Sequence, residues 1–140
     1  MTLTPAELTA IIREGVPASE GSGFCVERIE PDGVLCRLPF NPLQIRPGGT
    51  LSGPTMMTLA DAAMYAAVMA RLGRLEMAVT QSFNINFLSR PMPADLLARA
   101  GVLKSGRRTV VLDVSIYSEG SPDVVAHATG TYSLPPAGRE

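Results

Sequence analysis

Hydrophobic and polar positions change period several times along this chain, and each change marks an element. From Gly49 to Leu72 the run GTLSGPTMMTLADAAMYAAVMARL is rich in Ala, Leu and Met. Nothing breaks it between Pro54 and Gly73, which predicts one long helix. Pro54 suits the first helical position, because its missing N–H has no helical partner there and its φ is already set, while Ser52 or Gly53 can cap it. Met56, Met57, Leu59, Ala60, Ala63, Met64, Ala67 and Val68 cover every face, so the helix is expected to be buried, with no stripe turned to water. It is shorter than the ~20 apolar residues that a bilayer requires, and a mid-helix Asp61 would be costly there, which argues for a protein core.

The flanking segments follow other periods. Thr4-Pro5-Ala6-Glu7 reads as a capping box with proline at the first helical position, and Leu8, Ile11 and Ile12 supply an apolar stripe before Gly15 ends this short helix over 1–15. Residues 16–22 are loop by composition. FCVERIE and VLCRLPF are extended runs around Pro31-Asp32-Gly33, which predicts a hairpin. Residues 41–51, NPLQIRPGGTL, are expected to be an irregular loop. After the long helix, residues 76–88 alternate, with Val79, Gln81, Phe83, Ile85 and Phe87 on one side and Thr80, Ser82, Asn84 and Asn86 on the other. Three more strands, DLLARAGVLK, RRTVVLDVSIYS and DVVAHATGTYSL, precede a tail over 135–140 that is expected to fray. Helix, two strands, long helix and four strands without βαβ alternation define an α+β chain, an antiparallel sheet packed on one long helix.

Composition narrows the chemistry. The 140 residues, 46% of them hydrophobic, suffice for one domain with a real core. A net charge of −1, with basic residues spread along the chain, gives no support for a nucleic-acid partner. MTLTPAELTA shows no signal or transit pattern, so the cytoplasm is expected, with no membrane association. Cys25 and Cys36, read as small buried hydrophobes, and a lone His127, read as a hydrogen-bonded strand histidine, leave no metal set. Neither GxxxxGK[ST] nor GxGxxG occurs, and no cofactor is called for. Asp61 is the only acid in the long helix, where a carboxylate must be paired, hydrogen-bonded or protonated. Either it has a function, or it sits at the helix edge and accepts a backbone N–H. Lys104, Arg107 and Arg108 flank the Ser105-Gly106 turn and read either as a solvated basic turn or as partners for phosphates.

GTLSGPTMMTLADAAM in the helix, AVTQSFNINFLSRP in the next strand and VAHATGTY in the closing one resemble the hot-dog fold, specifically the phenylacetic-acid-type acyl-CoA thioesterases, over residues from about 20 to 134. That resemblance implies a single hot-dog domain whose antiparallel sheet wraps one long helix. It also implies hydrolysis of an acyl-CoA thioester by homodimers with shared active sites, often paired into tetramers. Where the family shows HGG, six residues and then the catalytic Asp, this chain has Ser52-Gly53-Pro54 and Asp61. The resemblance thus implies that Gly53 gives its N–H to the thioester oxygen, that Asp61 is nucleophile or general base, and that Thr80 helps hold the water. Around them, Arg46, Ser52, Pro54 and Thr55 are candidate substrate contacts at the helix opening, with Met57, Tyr65, Ser82 and Asn84 further along. Ser52 replaces the family's His, and Arg46 stands where many relatives have Asn. These departures keep a second reading open, a non-catalytic module that binds an acyl-CoA or acyl ligand. A Met-lined slot in a chain of low aromatic content suggests small aryl or medium-chain acyl groups.

Helix geometry adds a constraint of its own. The unpaired N–H groups at the helix start favour a developing oxyanion, and with Pro54 unable to donate, Gly53 and Thr55 remain. Gly53 precedes Asp61 by eight residues, about 12 Å along the axis. One helix therefore cannot bring both groups to one carbonyl, whereas a two-fold partner can deliver its Gly53 end beside Asp61.

Overall fold

A computed structural model describes residues 2–15, 22–41, 45–46, 50–51 and 53–136, with 45–46 and 50–51 described by backbone alone. The first helix, α1 (Pro5–Gly15), has the expected capping box. The Glu7 N–H donates to Thr4 Oγ1 at 3.1 Å and the Thr4 N–H donates to Glu7 Oε1 at 2.9 Å. Its buried Leu8, Ile11 and Ile12 face the core. Arg13 donates to the Phe24 carbonyl at 2.7 and 3.0 Å and so fastens the helix to the sheet.

Strands β1 (Cys25–Glu30) and β2 (Gly33–Leu38) form the hairpin across Pro31-Asp32. Within the stretch read as irregular loop, β3 (Ile45–Arg46) pairs with β4 (Thr50–Leu51), strands too short to show any alternation. The remainder of that stretch, like most of 16–22 and the last four residues of the tail, lies outside the described residues. The long helix α2 (Gly53–Leu72) begins one residue before Pro54 and ends at Gly73. Gly73 has φ +96° and donates its N–H to the Met69 carbonyl at 2.8 Å, a left-handed cap that glycine adopts without strain. Then come β5 (Val79–Phe87), β6 (Leu96–Ser105), β7 (Thr109–Ser118) and β8 (Val124–Ser133).

Six strands form one antiparallel sheet in the order β1-β2-β6-β7-β8-β5. With the long helix and short N-terminal helix, this is the hot-dog architecture. The inner residues of β7, Val110, Leu112, Val114 and Ile116, are fully buried against Leu59, Ala63, Met64 and Ala67 of α2. A Cβ on Gly130 would meet Met64 Sδ at 2.7 Å, so glycine is what lets Met64 lie against β8.

Two expectations are corrected. The helix is not buried all round: it packs chiefly on β2, β6 and β7 and less on β8 and β5. Pro54, Met57 and Thr58 consequently stay exposed, and Asp61, Ala62 and Tyr65 stay half-buried, one helical face left open. Cys36 is buried, but Cys25, the first residue of the edge strand β1, is only half-buried.

A Cβ at Gly33 would lie 1.8 Å from the Ala100 carbonyl oxygen, whereas one at Gly101 meets nothing within 3.8 Å. Gly33→Ala should therefore destabilise by at least about 3 kcal/mol in chemical denaturation, while Gly101→Ala should cost less than about 1 kcal/mol.

Candidate active site

The open face of α2 forms one wall of a cavity of about 340 Å³, and β5 and β8 form the other. Met57, Thr58, Asp61, Ala62 and Tyr65 come from the helix at the spacing of a single face, and Thr80, Phe83 and Tyr132 come from the strands. Most of the surface is apolar, and among the described residues Asp61 is the one charged group lining it.

A bulge in β5 decides which side chains reach this cavity. Thr80 pairs with Tyr132, but Ser82 already pairs with Thr131, so Gln81 is the extra residue. Strict alternation from Phe83 and Ile85, which face the helix, would turn Thr80 away. The bulge reverses the parity, and Thr80 Oγ1 donates to Asp61 Oδ1 at 2.8 Å. Ser82 and Asn84, opposite Thr131 and Thr129, stay on the outer face of the sheet and away from the cavity within this chain.

Tyr132 is a site residue that sequence reasoning missed. Its hydroxyl lies 2.7 Å from Asp61 Oδ1 and 3.0 Å from the Asp61 carbonyl oxygen. Its ring stacks on Tyr65, with centroids 6.1 Å apart and planes at 13°, and the Tyr65 hydroxyl donates to the Glu76 carbonyl at 2.9 Å. Burial, with the Asp61 charge adding to it, pushes the Tyr132 phenol well above its ordinary pKa. The group thus stays a neutral donor. A signal was present: the inner positions of β8 read Ala126, Ala128, Gly130 and Tyr132, and a tyrosine facing the core requires a partner for its hydroxyl. Asp61 is held by side-chain hydroxyls and not by the backbone N–H considered above. Both hydrogen bonds fall on Oδ1, and no described residue donates to Oδ2.

The remaining candidates are dispersed. Gly53 opens α2, and a Cβ there would lie 3.3 Å from the Phe87 ring, so the helix start packs at the far end of β5 from Thr80. Pro54 is exposed and Thr55 half-buried beside it. Ser52 and the side chain of Arg46 lie outside the described residues. His127 Nε2 is 3.1 Å from Asp113 Oδ2 on the outer face of the sheet, remote from Asp61. Arg107 and Arg108 are exposed in the β6–β7 turn. This turn is at the Asp61 end of the sheet, because Thr109 pairs with Ser133, which pairs with Val79. Among the described residues no cluster of His, Cys, Asp and Glu could hold a metal ion, and no helix is long and apolar enough to cross a membrane.

Residues 48–125 match the thioesterase superfamily, and the chain belongs to that family. A candidate esterase of Saccharolobus solfataricus is 31% identical over 110 residues, 79% of this chain and 72% of that protein. A crystal structure of a candidate thioesterase from a Silicibacter species is 39% identical and superposes with a TM-score of 0.85, covering 96% of this chain and 93% of its own. A mutant of the phenylacetic acid degradation protein PaaI from Thermus thermophilus is 28% identical, with a TM-score of 0.73 over 85% of this chain and 99% of that one.

Asp61→Asn preserves shape and leaves an amide oxygen able to accept from Tyr132 and Thr80. The side chain is only half-buried, so urea denaturation should place the variant within about 1 kcal/mol of the parent. A larger loss would make the carboxylate a structural group.

Proposed function

We propose that this protein is an acyl-CoA thioesterase of the phenylacetic-acid type and that Asp61 assists attack on the thioester. The observation that carries the reading is the state of one carboxylate. Asp61 Oδ1 is held by two hydroxyls, and Oδ2 is left without a described donor beside an apolar cavity. Oδ2 attacks the carbonyl carbon directly, forming an acyl anhydride that a water then hydrolyses once the thiolate has left, or it takes a proton from a water that attacks that carbon. In either route the carbonyl oxygen gains negative charge, and the coenzyme thiolate then leaves. The chain has seven Phe and Tyr residues in total, four and three respectively. Three of them, Tyr65, Phe83 and Tyr132, line this cavity, which favours a small aryl acyl group over the flexible medium chains that low aromatic content alone would admit.

The oxyanion donors must come from elsewhere, because Gly53 lies about 12 Å along the helix from Asp61. We propose that they come from a second copy. Strand β5 is at the sheet edge, and no other described strand pairs with its free side. Met77, Val79, Phe87 and Leu88 expose apolar surface along it. Antiparallel two-fold pairing centred on Asn84, with Gln81 as the extra residue, sets Thr80 opposite the partner's Phe87. Since Phe87 packs against Gly53 in each chain, that register delivers the partner's Gly53 N–H beside Asp61, and the symmetric copy completes the second site.

Release of free thiol from a panel of acyl-CoAs tests the activity. Asp61→Asn should lower the rate by at least about a hundredfold, within the range that acid–base groups supply. A fall below about tenfold would remove Asp61 from the chemistry, and no thiol from any acyl-CoA with the parent protein would favour a binding module. Thr80→Val should cost less than Asp61→Asn, since Tyr132 still holds Oδ1.

Subunit mixing tests the shared site. Inactive Gly53→Pro and Asp61→Asn proteins, once their subunits exchange, should regain about a quarter of parental activity, because half the dimers then carry one intact site of two. Full activity from a proven monomer would exclude the arrangement.

A further inference from the structure

We infer that Tyr132 is a positioning residue that fixes which oxygen of Asp61 faces the substrate, a role that rests on the hydrolase reading above. An aspartate carboxylate has a broad, nearly two-fold torsion, so on an otherwise open helix face it would present either oxygen in many orientations. Here two donors converge on Oδ1 from one cross-strand pair, Thr80 on β5 and Tyr132 opposite it on β8. A bond of hydroxyl to carboxylate is charge-assisted and stronger than a neutral one.

The two donors are not equivalent. Thr80 is exposed, follows the sheet edge and borders the bulge, so its hydroxyl is also available to water. Tyr132 is 3% exposed and sits on an interior strand. Its ring is braced by Tyr65, which is itself tied to the Glu76 carbonyl. The same hydroxyl lies within hydrogen-bond distance of the Asp61 carbonyl oxygen, so it clamps β8 to the helix at the residue that bears the carboxylate. With one proton to give, it serves the nearer carboxylate oxygen. The burial that keeps the phenol neutral keeps that proton in place. Oδ2 is thereby aimed at the cavity, and an attack geometry that needs reacting atoms ~3–3.5 Å apart is set before substrate arrives.

Tyr132→Phe removes the donor and keeps the ring, its stacking and its volume. Thiol release, corrected for the folded fraction, should show kcat at least about tenfold below the parent with KM within about twofold, because orientation is lost and the slot is unchanged. The same substitution in an Asp61→Asn background should lower the residual rate less than about twofold, since its effect travels through the carboxylate. Equal fold losses in both backgrounds would overturn the inference. So would a parental kcat, a rise in KM alone, or failure of Tyr132→Phe to fold, which would assign the hydroxyl to the fold. If Asp61→Asn is inactive while Tyr132→Phe equals the parent, this role fails and the hydrolase reading stands. If Asp61→Asn is itself fully active, the hydrolase reading fails first.

Discussion

The arrangement depends on holding one carboxylate in a fixed orientation at the edge of an apolar core. A carboxylate with no partners would lose solvation against Met57, Ala62 and Phe83 and would be free to turn. Satisfying it wholly with an arginine or lysine would hold the charge but remove the oxygen from use. Two hydroxyls on a single oxygen meet both demands, because they partner the carboxylate without setting an opposite charge against it and no described residue donates to its other oxygen.

That solution reaches back into the fold. Oxygen donors on two strands can meet one helical side chain only if the helix lies close to β8 and β5 at that point, yet a cavity requires it to stand away. The helix compromises by leaning on β2, β6 and β7. Small residues at Ala63, Ala66 and Ala67 let it settle there, while its opposite face, from Pro54 to Tyr65, stays uncovered. Among the described residues, the Tyr132 and Thr80 hydroxyls alone bridge that gap to the Asp61 side chain. The cavity and the clamp are thus two consequences of one helix packed chiefly on β2, β6 and β7.

Much of this was legible in the chain because it was written in local chemistry. Thr4 and Glu7 predicted a reciprocal cap, Pro31-Asp32 a turn, and Gly73 a helix end, and each is decided within a few residues. Continuous apolar character in α2 misled, because periodicity reports which residues prefer burial and not whether the chain has enough sheet to cover them. The bulge at Gln81 was invisible for a related reason. The segment Val79–Phe87 alternates cleanly as written, and only its pairing with β8 shows that one residue has no partner. Alternation therefore grouped Thr80 with Ser82 and Asn84, where the structure separates it from them. Tyr132 escaped because its partner is 71 positions away in sequence, on a helix that the intervening strands separate from it along the chain.

The bulge connects the site to the edge of the sheet. An unpaired edge strand invites association, and apolar Val79, Phe87 and Leu88 make this one more inviting, so a fold that leaves it bare needs either a partner or a device that spoils pairing. A bulge often spoils it. Here the irregularity sits at the very start of β5, between Thr80 and Ser82, and leaves residues 82 to 87 as a regular edge. The distortion is confined to the end where Thr80 must turn inward, and the rest of the strand keeps its pairing capacity. A displacement of one residue thus performs two separate tasks, turning a hydroxyl toward the carboxylate and sparing the edge on which a second copy could dock.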